Sequence, residues 1–248
     1  MKVGFKTDKG VKRSNNEDAC FVMKRDKLFV VADGVGGNSS GEIASRTAVT
    51  EITGFFQKNP LKKGASEDEV RQYFQDCVSA ANIAVLEKAN RIPRNKGMAT
   101  TIVAAYVDGR NVFIINIGDS RAYLLRNGKL YQITEDHTYV NTLIKAGLIS
   151  EEDALTHENR NMITRAVGAD DQIEADFFTF TVRVDDIVLL CTDGLYDEVP
   201  EDELVHIIQS ETETSDMCNE LVDAANRNGG SDNITMVILK FTEEDINE

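Results

Sequence analysis

Three strongly apolar runs in this chain end directly on an aspartate. LFVVADG stops at Asp33, VFIINIGDS at Asp119 and IVLLCTDG at Asp193, while Asp232 stands immediately before ITMVILK. Runs this apolar read as short buried strands. The buried end of such a strand rarely carries a carboxylate without a partner. The pair Glu17-Asp18 likewise precedes the strand-like ACFVM. Any fold for this chain must therefore find company for several carboxylates at strand ends.

The connections between strands narrow the choice. Ala19 to Met23 and Leu28 to Ala32 flank the polar turn Lys24-Arg25-Asp26-Lys27. Thr100 to Val107 and Val112 to Ile117 flank Asp108-Gly109, and Arg121 to Arg126 and Lys129 to Thr134 flank Asn127-Gly128. Tight turns of this kind join antiparallel strands. Phe177 to Val182, Ile187 to Cys191 and Asn233 to Phe241 are further strands. Helical spacing places Ala44, Ala48, Ile52 and Phe55/Phe56 on one face of a helix over Gly41 to Phe56. Ser66 and Glu69 form a capping box before the stripe Val70, Phe74, Cys77, Ala81, Val85. Glu201 to Gln209 and Ser215 to Asn226 read as helices, and Leu143 to Arg160 as a polar, exposed helical segment. One antiparallel sheet layer, or two, covered by helices is the expected architecture.

In an antiparallel sheet the start of one strand lies beside the end of its neighbour. The Ala19–Ala32 hairpin thus sets Glu17 and Asp18 next to Asp33. If the strand from Asn233 runs against those ending at Asp33 and Asp193, Asp232 joins the same rim. Carboxylates share a small site only when protons or cations relieve their repulsion, and hard Mg²⁺ or Mn²⁺ prefers such oxygen donors. Any single Asp-Gly can also be an ordinary turn, as Asp108-Gly109 reads. The stretch from Asp33 to Asn38 suggests a phosphate-cradling loop, but no Lys-Ser/Thr follows the glycines, and Ser39 stands where GxGxxG needs its third glycine. Access of the Gly34 carbonyl to a cation explains these glycines better.

Composition removes other classes. At 248 residues with a net charge of −15, the chain repels nucleic acid and anionic membranes. No apolar run approaches a membrane span, and the N-terminus lacks a secretory apolar region; a cytoplasmic location is expected. Cys20, Cys77, Cys191 and Cys218 are scattered without a CxxC pair, so thiols packed in or near a core are expected rather than a zinc site. No repeat or Pro-rich linker breaks the chain, so one continuous domain over 1–248 is expected.

The motifs TDKGVKRSNNEDA, VVADGVGG, GMATTIVAA, NIGDSRAYLLRNG, TEDHT, MITRAVG, LLCTDGLYD and GGSDNITMVIL follow one another from Gly4 to Lys240. In this order the chain resembles the bacterial metal-dependent protein phosphatases of type 2C. The resemblance implies an α+β fold, a four-layer α-β-β-α sandwich of two antiparallel sheets flanked by helices. It implies hydrolysis of phosphoserine and phosphothreonine in proteins by a metal-activated water, with two Mn²⁺ or Mg²⁺ ions. Asp33 would bridge both ions, Asp193 and Asp232 would complete one site, and the Gly34 carbonyl the other. Asp119 with Asp193 would take a third, weaker ion. Glu17 and Asp18 would hold waters, and Arg13 would bind the phosphate. Residues 143–160 match a flap beside the site.

Val35 stands where animal relatives carry a proposed acid histidine, which leaves the leaving-group acid open among His137, His157 and a water; His206 reads as a helix-surface residue. Arg121 and Arg165 read as partners for carboxylates. Phosphorylated proteins are the implied partners, together with a Hanks-type serine/threonine kinase that the enzyme would oppose, and a monomer is the default. A pseudo-enzyme that binds phosphoproteins without turnover is the rival reading; it is disfavoured because Asp33, Asp193 and Asp232 are all retained. A hydrolase of small phosphate esters would use the same metals.

Overall fold

The computed structural model describes residues 1–37 and 40–246. Asn38 and Ser39 of the glycine-rich stretch lie outside the described residues. The strands are β1 (Lys2–Asp8), β2 (Ala19–Met23), β3 (Leu28–Ala32), β4 (Gly34–Val35), β5 (Ala99–Thr100), β6 (Ile102–Asp108), β7 (Asn111–Ile117), β8 (Arg121–Arg126), β9 (Lys129–Gln132), β10 (Asp176–Thr181), β11 (Ile187–Cys191) and β12 (Ile234–Lys240). The helices are α1 (Ser40–Lys58), α2 (Glu67–Arg91), α3 (Tyr139–Lys145), α4 (Glu151–Leu155), α5 (Asp193–Tyr196), α6 (Glu201–Ser210), α7 (Thr214–Asn228) and α8 (Glu243–Ile246). Among the described residues no helix is long and apolar enough to cross a membrane.

Two five-stranded antiparallel sheets stack face to face, one ordered β1-β12-β11-β8-β9 and the other β10-β7-β6-β3-β2. Each strand serves two layers because successive side chains point to opposite faces. In β3, Phe29 and Val31 enter the core between the sheets, while Leu28, Val30 and Ala32 face α1 and α2. In β11, Val188 and Leu190 face the other sheet, and Ile187, Leu189 and Cys191 face α6 and α7. This double burial is why LFVVA and IVLLC are apolar at every position. The fold is α+β, two antiparallel sheets flanked by helices, as the resemblance implied.

The helices follow their local signals. Ser66 caps α2 through a reciprocal capping box with Glu69, and the stripe from Val70 to Val85 is buried on the sheet. All four cysteines are free; Cys77, Cys191 and Cys218 are buried and Cys20 is half-buried.

Three details depart from the sequence expectations. An unanticipated edge strand, β1, pairs along its whole length with β12; its Lys-rich outer face and exposed Phe5 conceal any buried pattern. Asp193 opens the short helix α5 behind Thr192 instead of lying in a turn between strands. The helical segment expected over 143–160 is two short helices, α3 beginning already at Tyr139, and a bridge between Thr138 and Ile163 closes the excursion at its base.

The inter-sheet core carries the stability of this arrangement. Leu190 is fully buried there, so Leu190→Ala is expected to cost about 2–5 kcal/mol of unfolding free energy. Urea denaturation in the presence of chelator measures it, and a loss below about 1 kcal/mol, the scale of a surface change, would contradict the packing described.

Candidate active site

Strand pairing delivers the acidic residues to one pole. Ala19 pairs with Ala32, so Asp18 and Asp33 are the next residues along the β2–β3 hairpin. Ile102 pairs with Ile117, and the Thr101 amide donates to the Asp33 carbonyl at 2.9 Å, which brings the Gly118–Asp119 turn beside Asp33. Thr192 N–H donates to the Thr235 carbonyl at 3.0 Å, which aligns Asp193 with the start of β12 and Asp232. Arg13 and Glu17 come from the loop between β1 and β2.

A cavity of about 520 Å³ opens at this pole. Asp33, Asp119, Asp193 and Asp232 line it, together with Gly34, Glu17 and Arg13. Of the residues expected here only Asp18 does not reach the cavity. It is buried one step behind, where Thr192 Oγ1 donates to its Oδ2 at 3.0 Å. Two buried carboxylate oxygens, Asp18 Oδ1 and Asp193 Oδ1, have no hydrogen-bond partner.

The electrostatics follow from this crowding. Burial, and then the neighbouring charges of Asp18, Asp193, Asp119 and Asp232, raise the Asp33 carboxyl well above its ordinary range. Asp193 is raised in the same way, by burial and then by Asp119, Asp232 and Asp18. Burial pushes Asp18 up to about 7 against the hydrogen bonds of Thr235 and Thr192. Asp119 is pushed up to about 6, by burial and then by Asp136. Asp232 is held differently: Arg13 Nη2 donates to its Oδ2 at 2.6 Å, and the Asn233 amide donates to its Oδ1 at 2.8 Å. Arg13 Nε also donates to the Ser231 carbonyl. Among the described residues no three His, Cys, Asp or Glu side chains stand in ready chelating geometry.

Thr100, Thr101, Tyr196 and Asn233, to which the sequence alone assigned no role, hold the rim in place, and Arg121 holds a carboxylate as its motif suggested. Thr100 Oγ1 donates to the Asp33 carbonyl at 2.7 Å, and Thr101 Oγ1 accepts from the Asp33 amide at 2.9 Å. Tyr196 O–H donates to the Asp119 carbonyl at 3.0 Å, while the Arg121 guanidinium lies 3.6 Å over its ring and grips Asp136. The Asn233 side chain is the most heavily used. Its Oδ1 accepts from Glu17 N–H at 2.7 Å, and its Nδ2 donates to the Lys9 and Asn15 carbonyls at 2.8 and 2.9 Å. All lie inside motifs already quoted, but only their partners across the fold give them a role. Gly34 and Gly41 permit the closest approach: a Cβ on Gly41 would overlap both Glu17 Oε2 and the Gly34 carbonyl.

No histidine lines the cleft. His137 is buried, its Nδ1 accepting from Gly118 N–H at 3.0 Å and its Nε2 3.1 Å from Asp176. His157 packs on Tyr139 and accepts from Asn159 N–H through Nδ1. His206 is exposed on α6. Arg165 pairs with Asp176 at 2.6 Å. From the 138–163 excursion, Asn161 and Ile163 reach the cleft, and exposed Val35 lines it.

Comparison with known proteins gives consistent matches. The protein phosphatase 2C pattern matches residues 9–235. A serine/threonine phosphatase stp of Listeria innocua is 37% identical over 243 residues, 97% of this chain and 96% of that protein. The crystal structure of the Mycobacterium tuberculosis serine/threonine phosphatase PstP/Ppp superposes with a TM-score of 0.89 at 33% identity, covering 98% of this chain and 99% of that one. The catalytic domain of a serine/threonine protein phosphatase PstP in complex with two manganese ions superposes with a TM-score of 0.85 at 32% identity, covering 98% of each chain.

Two outcomes are expected. Carboxyls raised by folding bind protons that the unfolded chain, with aspartates near the ordinary 3.8, releases. Their stabilising contribution is present at low pH and is lost as pH rises through about 6 and 7, where Asp119 and Asp18 titrate. In chelator, Asp33→Asn should therefore melt higher than wild type at pH 7.5 and no higher at pH 4.5; a variant that melts lower at both pH values would refute the crowding. Asn233→Ala strands three backbone groups and should cost about 1–3 kcal/mol. Amide hydrogen exchange should quicken in residues 9–17 more than in β12, and unchanged exchange there would count against its role as a clamp.

Proposed function

Because this chain belongs to the protein phosphatase 2C family and is a serine/threonine protein phosphatase, we propose that it works with divalent cations held by Asp33, Gly34, Asp119, Asp193 and Asp232. The carrying observation is the convergence of four aspartates on one cleft, with Asp33 and Asp193 driven far above their ordinary range by burial and by each other. Such a cluster asks for cations or protons. The donors fit: all are hard oxygens, and Asp193 Oδ1 is buried without a partner. Mn²⁺ or Mg²⁺ would match these donors: Asp33, Asp193, Asp232 and the Gly34 carbonyl would hold two ions, and Asp119 with Asp193 a third. When bound, these cations supply Lewis-acid neutralisation of phosphate charge and a water acidified toward neutral pH.

The chain's own groups do the rest. Arg13 sits at the mouth, with Nη2 on Asp232 and Nε on the Ser231 carbonyl; turned toward a bound phosphate, its planar guanidinium would grip two phosphate oxygens and offset charge as the phosphoryl group transfers. Glu17, half-buried and held by Asn15 Nδ2 at 3.0 Å, orients water at the cleft wall. Asp18 acts from behind, fixing Thr192 and so the start of α5. Since no histidine reaches the cleft, the serine or threonine alkoxide takes its proton from water.

The whole chain is read as a single phosphatase domain with residues 143–160 as its flap, monomeric and cytoplasmic. Its substrates are phosphorylated proteins, and a Hanks-type serine/threonine kinase is its natural opponent. The full carboxylate set speaks against a pseudo-enzyme.

Hydrolysis of an aryl phosphate and a phosphothreonine peptide with Mn²⁺, with and without chelator, tests this reading. Chelation should abolish turnover. Asp193→Asn should lower kcat by at least about a hundredfold, the upper scale that mere supporting groups of metal ligands reach. Activity that survives chelation would falsify the metal role, and near-wild-type turnover of the variant would misplace the site.

A further inference from the structure

A second cavity, of about 580 Å³, adjoins the catalytic cleft and shares Asp119, Asn161 and Asp193 with it. Its volume is in the range that ligand pockets occupy. One wall comes from the 138–163 excursion, where Val140, Ile144, Ala154 and Leu155 give an apolar floor. Leu155 is 71% exposed there. The facing wall comes from α5 and the start of α6, through Tyr196, Asp197 and Glu201.

The charges of this groove are unequal once its internal pairs are set aside. Lys145 pairs with Glu135, and Arg121 with Asp136. Besides Asp119 and Asp193, shared with the catalytic cleft, that leaves Glu151, Asp197 and Glu201 facing the single cation Arg160, whose charge bears on Asp197. Glu151 and Glu201 are exposed, each the first residue of its helix, on opposite walls. An anionic group is repelled along this groove, and a cationic side chain with an aliphatic stem fits both its rim and its floor.

We propose that this groove seats the substrate polypeptide beside the phosphorylated residue, and that it selects phosphoproteins carrying lysine or arginine near that residue. Continuity with the cleft and charge complementarity carry the assignment. It rests on the phosphatase reading above. The phosphate enters the cleft while the flanking chain lies between the excursion and α6, with its cations against Glu151 and Glu201.

Two phosphothreonine peptides, identical except for arginine or glutamate flanks, test it beside an aryl phosphate that has no chain to lie in the groove. The arginine peptide should be hydrolysed with kcat/KM about tenfold higher, since exposed ion pairs each contribute modestly, and the preference should shrink as salt rises. Glu151→Lys/Glu201→Lys should abolish or invert the preference and leave the aryl phosphate rate unchanged; Glu151→Gln/Glu201→Gln, gentler to the two helix starts, should abolish it. Equal rates on the two peptides, or a preference that survives both variants, would overturn the proposal. Self-association of the protein that the variants abolish, without any change in peptide preference, would give the groove to a second copy and also overturn it. Failure to hydrolyse even the aryl phosphate would remove the phosphatase reading itself, and the groove's role with it.

Discussion

Antiparallel pairing in two stacked sheets is the constraint on which the rest of this structure depends. Each hairpin returns the chain to the pole it left, so strand ends and strand starts alternate along one edge. Asp33 ends one strand, Asp119 and Asp193 follow two others, and Asp232 and Asp18 precede two more. Pairing registers such as Ala19 with Ala32 and Ile102 with Ile117 place them within one cleft. A parallel arrangement would scatter the same residues between opposite ends.

The convergence has an electrostatic consequence that packing alone does not relieve. Burial and mutual repulsion raise Asp33 and Asp193 together, while Arg13 relieves Asp232 by a direct pair. That pair ties the loop carrying Arg13 to the start of β12 at the mouth of the cleft.

Rigidity at the rim comes from small polar side chains bonded to backbone. Thr100 and Thr101 hold both backbone groups of Asp33, and Tyr196 holds the carbonyl of Asp119. Asn233 joins three points of the loop that carries Arg13 and Glu17. These bonds are made to main chain, so they fix where the carboxylates stand without adding charge to a crowded site.

Much of this was legible beforehand, for physical reasons that differ by residue. LFVVA and IVLLC announced buried strands because they are apolar at every position, and the acidic residues at their ends announced a shared rim; that each strand meets a layer on both faces came from the structure. The capping box of Ser66 and Glu69 fixed a helix start because it is local. Strand β1 was missed, since an edge strand keeps one face polar. The early start of α3 at Tyr139, the helix that begins at Asp193, and the commitment of His137 to Gly118 and Asp176 were equally hidden. By itself the sequence determined most of the strands and helices, which residues are acidic at strand ends, and the family they belong to, because these depend on periodicity and neighbours along the chain. Only the tertiary structure decided that Asp18 stands behind the cleft and not in it, that Asn233 clamps the Arg13 loop, and that an acidic groove runs on from the site. Each of these depends on which distant backbone group comes within hydrogen-bonding or charge range when the sheets stack.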